Sequence, residues 1–355
     1  MNQVPCIILE DLTEIQKKAY VIADNNIALK SGWNDELLNL EIENLKELDF
    51  DIDLLGFSDE DLDDIFEAGT NTSEGLTDPD DAPEIQETTV SIQGDIWIMG
   101  DHRLMCGDST DEEKVIKLLD NNQIDMIFSD PPYGVSYSDK NEFLNELDKG
   151  NRIQKEIKND CMDLNETSDL WSKVFSVWNK FFLESSSYYL TGPQGGELSM
   201  MMMMMNDNGF PVRHTIIWSK NNHVLGRCDY NYKHEPILYG WKNKHKFYGK
   251  GDHKTSVWDI DRPHKSELHP TMKPIELIEN CLLNSTLKGH KVADMFGGSG
   301  STLIACEKTN RHCLMMELDE HYCDVIVRRW QEYTGKEATH EATGKTYQQL
   351  KEERI

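Results

Sequence analysis

Ile124-Asp125-Met126-Ile127-Phe128-Ser129-Asp130-Pro131-Pro132-Tyr133 is the stretch that decides how this chain is read. Its apolar first half reads as a parallel strand buried on both faces, because a strand covered on both sides has no need to alternate. An acid, a rigid Pro-Pro turn and an aromatic ring therefore stand at the carboxyl end of a strand. In open α/β sheets that end is where ligands bind. Asp130 offers a fixed acceptor to an amino group, and Tyr133 offers a face on which a planar base can stack.

Outward from this stretch the pattern stays α/β. Short strands are expected around Gly94-Asp95 and Gly100-Asp101, leading into Leu104–Ser109, with a helix over 111–120 before the central strand. Strand, helix and strand at this spacing mean a parallel sheet. Downstream, a hydrophilic segment over 138–169 is expected to be mobile and 171–183 to be helical. The methionine run 200–205 is expected to pack as a helix rather than to do redox or metal chemistry.

Near the C-terminus His290–Phe296 reads as a strand, Gly297-Gly298-Ser299-Gly300-Ser301-Thr302 as a tight turn, and Leu303–Lys308 as the start of a helix. Glycines let a backbone pass close to a ligand, and a helix N-terminus presents free N–H groups. The next strand, His312–Leu318, carries Glu317, and an acid about 20 residues after such a loop typically binds ribose hydroxyls. A dinucleotide fold or a plain turn would give the same glycines, although their places depart from G-x-G-x-x-G. Between the two constellations lies His269-Pro270-Thr271-Met272-Lys273-Pro274, by composition only a turn entering a helix.

The charge is segregated. The net charge is −28, but residues 1–89 hold 4 basic and 24 acidic residues, a net of −20, which leaves −8 over 90–355. Within that, 211–275 carries 12 Lys/Arg against 6 Asp/Glu, with seven histidines, so the overall acidity does not exclude a nucleic acid. The eight cysteines include no Cys-x-x-Cys pair and fit reduced thiols in a cytosol, the expected location. The group Cys306, His312, Cys313, His321 and Cys323 matches no zinc spacing, so no metal is expected. No stretch is long and apolar enough to span a bilayer, and the first residues show no basic leader, so neither membrane nor export is expected.

Four segments follow. Residues 1–68 read as small amphipathic helices needing a partner surface, with a Thr13–Gln16 capping box, an Ile15/Ala19/Ile22/Ala23 stripe and a Leu38/Ile42/Leu45 face. Residues 69–89 read as a flexible acidic linker, 90–336 as the catalytic domain with an inserted recognition region at about 138–268, and 337–355 as a tail.

Asp130-Pro131-Pro132-Tyr133 resembles the catalytic motif of amino-directed DNA methyltransferases, and Asp294-x-Phe296-x-Gly298-Ser299-Gly300 resembles the S-adenosyl-L-methionine loop of the same family. With the segment ending at Lys273-Pro274 between them, the motifs stand in the permuted beta order over about 94–335. Residues Leu12–Phe66 resemble the C-terminal half of a partitioning-protein/sulfiredoxin-like domain often fused ahead of such enzymes, without its nucleotide loop.

The resemblance implies a Rossmann-like α/β sheet with helices on both faces, S-adenosyl-L-methionine as cofactor and double-stranded DNA as substrate. A homodimer and a cognate restriction endonuclease are compatible partners. It implies that Asp130 and the Pro131 carbonyl accept the N–H groups of a flipped-out base, that Pro132 stiffens the turn and that Tyr133 stacks. It also implies that Lys273 holds the cofactor's carboxylate, that Asp108 meets its adenine end, and that Asp294, Phe296, Gly298, Ser299, Gly300, Ser301, Thr302 and Glu317 complete its site. For Asp108 a turn capping the helix at 111 is an equal alternative.

Lys220, Arg227, Tyr230 and Lys233 are the candidate DNA contacts, from a stretch mixing cations, amides and aromatics. Adenine N6 is the expected target, because cytosine-N4 relatives more often carry serine at the position of Asp130. Two other readings remain at this stage: a catalytically silent DNA-binding regulator, and a nicotinamide-dependent oxidoreductase resting on the glycine loop alone.

Overall fold

The computed structural model describes residues 13–27, 50–57, 74–134, 162–222, 229–249, 254–262 and 272–355, together with Leu38, Glu41, Ile42 and Leu45. The chain divides into two compact units, Met1–Asn71 and Thr72–Ile355. In the first, helix α1 (Glu14–Ile27) opens on the expected cap: Gln16 N–H donates to Thr13 Oγ1 at 3.3 Å and Thr13 N–H to Gln16 Oε1 at 3.0 Å. Ala19, Leu38, Ile42, Leu45 and Leu55 are buried together, with Ile15, Phe50, Ile52 and Phe57 packed on them. The apolar faces expected to need an outside partner thus make a small core of their own.

Among the described residues the second unit is built on one ten-stranded sheet: β1 (Ile96–Met99), β2 (His102–Cys106), β3 (Ile124–Ser129), β4 (Phe182–Thr191), β5 (Val212–Ser219), β6 (His234–Trp241), β7 (Val257–Asp259), β8 (Lys291–Asp294), β9 (His312–Glu317) and β10 (Thr339–His340). Their order is β10-β1-β2-β9-β8-β3-β4-β6-β5-β7. The middle five, β2-β9-β8-β3-β4, run parallel, while β1, β10 and β6 run antiparallel to their inner neighbours. From β3 the chain proceeds to β4 on one side, and β8 proceeds to β9 on the other. The gap between β3 and β8 is therefore a topological switch point, which opens a crevice at the strands' carboxyl ends.

Strand side chains alternate between two cores. Met126, Phe128, Val292, Cys313 and Met315 face one, with α5 (Ile275–Ser285), α6 (Ser301–Lys308), α7 (Glu320–Thr334) and α8 (Tyr347–Arg354). Ile124, Ile127, Ala293, Leu314 and Met316 face the other, with α2 (Glu112–Leu119), α3 (Leu164–Trp178) and α4 (Gly196–Asp207). This is the expected Rossmann-like sheet covered on both faces. The methionine run packs as a helix, with Met201 and Met205 fully buried one turn apart and Met203 exposed.

Several boundaries differ from the sequence reading. Gly94-Asp95 precedes β1, and Gly100-Asp101 is the turn between β1 and β2, where Gly100 takes φ +60°. The helix expected at 171–183 begins at Leu164 behind an Asp163/Glu166 capping box, and Phe182 already belongs to β4. The segment 135–161 lies outside the described residues.

Residues 74–91 are not a flexible linker, because hydrogen bonds along them run to α7. Leu76 N–H donates to the Tyr333 carbonyl at 2.7 Å, His321 Nδ1–H to the Gln86 carbonyl at 2.9 Å, and Val90 and Ser91 N–H to the Asp324 carboxylate at 2.7 and 2.9 Å. Nor is 337–355 a tail: β10 extends the sheet, and Tyr347 and Leu350 are buried in its core. Acidic composition had hidden the first, and the short β10 strand the second.

Candidate active site

Parallel β3 delivers Asp130 into the crevice. Asp130 Oδ1 accepts from Tyr133 Oη–H at 2.7 Å and from the Thr191 hydroxyl, which stands at the end of neighbouring β4. Oδ2 receives Lys273 Nζ at 2.5 Å. A carboxylate offers about four lone-pair sites, so with three donors seated the acid is held rigidly and keeps one acceptor site on Oδ2. The turn itself is tethered by Trp171 Nε1–H, which donates to the Pro132 carbonyl at 2.9 Å. Burial, and then the charges of Asp130 and Glu235, push the Tyr133 phenol well above its ordinary pKa, so Tyr133 stays a neutral donor.

Gly134, which ends the turn, has φ +69°, and a Cβ there would sit 2.4 Å from Thr167 Oγ1. Gly134→Ala is therefore expected to cost about 1–3 kcal/mol, measured as a fall in thermal unfolding midpoint, with turnover reduced alongside.

Lys273 is held from behind. Glu235, at the start of β6, lies 3.5 Å from Lys273 Nζ through Oε2 and pairs with Lys220 Nζ through Oε1. Burial raises the Glu235 carboxyl, but the Lys273 and Lys220 ammoniums outweigh it and bring its pKa to about 2. Four charged groups thus run Lys220, Glu235, Lys273, Asp130. This corrects Lys220 as a DNA contact: its side chain is 4% exposed and committed to Glu235 and to the Trp218 ring, 4.7 Å away. It also gives Lys273 a place beside Asp130 that sequence alone did not assign. Neither Thr191 nor Glu235 stands among the candidates drawn from the sequence. Their only signal was a polar residue at the end of a strand.

The glycine loop follows β8. Asp294 is buried, its Oδ1 accepting from Ser129 Oγ–H at 2.7 Å and Phe296 N–H at 3.1 Å, its Oδ2 from Thr302 Oγ1–H at 2.6 Å. Burial pushes its pKa to about 7 against those three hydrogen bonds. Asp294 and Thr302 therefore shape the loop, and the Ser129 bond ties that loop to the strand carrying Asp130. Gly298 takes φ +53° with open space where a Cβ would project, and Gly300 takes φ +83° against Ile326.

Glu317, at the end of β9, accepts Gly298 N–H on Oε2 and Asp319 N–H on Oε1, both at 2.7 Å, and these bonds use two of its roughly four lone-pair sites. Burial lifts its pKa to about 7 although both N–H bonds oppose the rise. Asp108 makes a local turn, accepting Thr110 N–H and Oγ1–H on Oδ1 at 2.8 Å, and the helix cap is Asp111 instead.

Of the remaining candidates, Tyr230 and Lys233 are exposed, and Arg227 lies outside the described residues, as do His269, Pro270 and Thr271. No group of metal-ligating side chains occurs among the described residues, and no helix there is long and apolar enough to cross a membrane.

A doubly covered parallel sheet with an acid at one switch-point strand and a glycine loop at the other is the arrangement of a nucleotide-cofactor group-transfer enzyme. A DNA methylase family model of the N6/N4 type matches residues 124–328, and the chain belongs to that family. Residues 36–93 match a ParB-methyltransferase HTH domain, in keeping with the partitioning-protein resemblance of the N-terminal segment.

Among curated relatives, the Type II methyltransferase M2.MboI of Moraxella bovis is 26% identical over 236 residues, 60% of this chain and 83% of that protein. The Type II methyltransferase M.HpaI of Haemophilus parainfluenzae is 24% identical over 253 residues, 64% of this chain and 74% of that protein. In fold, the cytosine-N4-specific PvuII DNA methyltransferase superposes with a TM-score of 0.50 at 14% identity, over 76% of this chain and 94% of that one.

Proposed function

We propose that this DNA methylase transfers a methyl group from S-adenosyl-L-methionine to the exocyclic N6 of an adenine flipped out of double-stranded DNA. The observation that carries the reading is the Ser129–Asp294 hydrogen bond at 2.7 Å, which locks the Asp130 turn and the glycine loop side by side at the switch point. A base amine and a methyl donor bound there would be neighbours, and orientation of this kind supplies a large share of the rate. Gly298, Ser299 and Gly300 fit a ligand passing close to backbone, the free lone pairs of Glu317 fit a ribose diol, and Phe296 and Ser301 flank the loop. Once bound, the cofactor supplies an electrophilic methyl on a sulfonium leaving group.

The protein's part concerns the amine, whose lone pair is delocalised into the ring. An N–H donated to the vacant acceptor site of Asp130, and a second donated to the Pro131 carbonyl, favour a pyramidal nitrogen aimed at the methyl. Tyr133, Thr191 and Lys273 keep the carboxylate from turning away. Tyr133 is half-buried, and stacking on the base is the role given to the exposed part of its ring. Tyr230 and Lys233 are the candidate contacts to the duplex. Aspartate rather than serine at position 130 favours adenine over cytosine.

The test is methyl transfer to unmethylated genomic DNA followed by nucleoside mass spectrometry. N6-methyladenine is expected. N4-methylcytosine would overturn the base assignment, and no methylated nucleoside from protein that binds the cofactor would overturn the activity.

A pH dependence follows from Glu317. Its raised pKa leaves it largely protonated below about pH 7, and a ribose diol donates better to the ionised form. Cofactor affinity is therefore expected to rise as pH increases, by up to about tenfold between pH 6 and 8. Glu317→Gln should bind weakly and without that slope, as followed by calorimetry across the range.

A further inference from the structure

The acidic segment 74–91 lies against the molecule at a place its composition does not explain. Two adjacent residues in it, Pro79 and Asp80, reach the arginine that anchors the glycine loop and the segment that carries Lys273. Asp80 Oδ1 accepts the N–H of Ile275 at 3.0 Å, the first residue of α5 and two positions beyond Lys273. The Pro79 carbonyl accepts Arg329 Nη2–H at 2.7 Å. The other arm of that buried guanidinium donates from Nη1 to the Ser299 carbonyl at 2.9 Å, with the Ser299 and Ser301 hydroxyls each at 3.3 Å.

We propose that residues 74–91 form a strap that positions the cofactor site, with Asp80 and Arg329 as its positioning residues. The inference rests on the cofactor reading given above. Its physical reason is the softness of the loop. Ser299 lies between two glycines of positive φ, a backbone costly to order and without side chains to pack. A carbonyl in such a loop needs an outside anchor, and Arg329 supplies one. Burial pulls the Arg329 pKa to about 10, and Asp80, Asp81 and Asp78 oppose that fall. The acidity that resembles a linker is thus the counter-charge to a buried cation.

The strap is fixed at both ends, at Leu76 by the Tyr333 carbonyl and at Val90–Ser91 by Asp324, so its middle cannot drift from the loop. Of the three donors to Asp130, Tyr133 and Thr191 stand apart from the strap, and only Lys273 lies near a residue that the strap touches. Loosening the strap should therefore weaken cofactor binding and leave chemistry at saturation nearly intact.

The test is calorimetric titration of the full chain with S-adenosyl-L-methionine, paired with thermal unfolding and steady-state kinetics. Asp80→Ala and Arg329→Gln are expected to raise the cofactor Kd roughly tenfold, with kcat at saturating cofactor changed less than about threefold. Asp80→Asn, which keeps an acceptor for Ile275 N–H, should recover most of the affinity. Ser91→Ala removes strap bonds away from the loop, to Asp324 at 2.6 Å and from Trp97 Nε1 at 2.9 Å. It should lower the unfolding midpoint with Kd unchanged. Affinity unaltered in Asp80→Ala, or lost equally in Ser91→Ala, would overturn the strap. If Arg329→Gln does not fold, the Asp80 pair decides. No binding by the unaltered protein would instead overturn the cofactor reading, and the strap's role with it.

Discussion

Asp130→Ala is expected to reduce methyl transfer by about a thousandfold or more while leaving S-adenosyl-L-methionine affinity within about threefold of the unaltered protein. The substitution removes the only side-chain acceptor proposed for the amine. It touches the glycine loop only indirectly, since that loop is secured to β3 through Ser129 and to α7 through Arg329. Folding should survive, because Lys273 Nζ retains Glu235 at 3.5 Å and is not left as an unpaired buried charge. Single-turnover kinetics with a saturating duplex, alongside calorimetry of cofactor binding, separates the two quantities. Lost binding with residual transfer would contradict the roles given to Asp130 and to the loop.

Glu235→Ala carries the largest expected stability cost. Lys220 and Lys273 are 4% and 9% exposed, and Glu235 faces both. Removing it leaves Lys220 buried without its carboxylate, and breaking a buried pair from one side costs about 3–5 kcal/mol. Because Glu235 is itself about a quarter exposed, the lower end, about 3 kcal/mol, is expected in urea unfolding. Lys220→Met should cost less, since Glu235 keeps Lys273. It should also leave the salt dependence of DNA binding unchanged, whereas loss of a true phosphate contact would reduce the slope of log K against log salt by about one. An altered slope would restore Lys220 as a DNA contact.

What was legible in the sequence was local. Ile124–Ser129 is apolar throughout and ends in a proline pair, so a buried strand delivering Asp130 to a sheet edge follows from periodicity and turn chemistry alone. Gly297–Thr302 between an apolar run and a helix is legible in the same way, as is Glu317 at its fixed distance. Motif order then suffices for the family and the sheet.

What only the tertiary structure decided concerns partners far apart in the chain. Lys220, Glu235 and Asp130 come into one run of charges because β3, β4, β6 and β5 lie side by side, with Lys273 entering from just ahead of α5, and no local pattern distinguishes a lysine buried against glutamate from one facing phosphate. Residues 74–91 carry the composition of a solvated linker. They are ordered by Arg329 and Asp324, about 240 positions later, whose buried charge and carboxylate need the strap's carbonyls and N–H groups. Composition reports what a segment would do in water. Whether water is what it meets depends on which distant side chains the sheet brings against it.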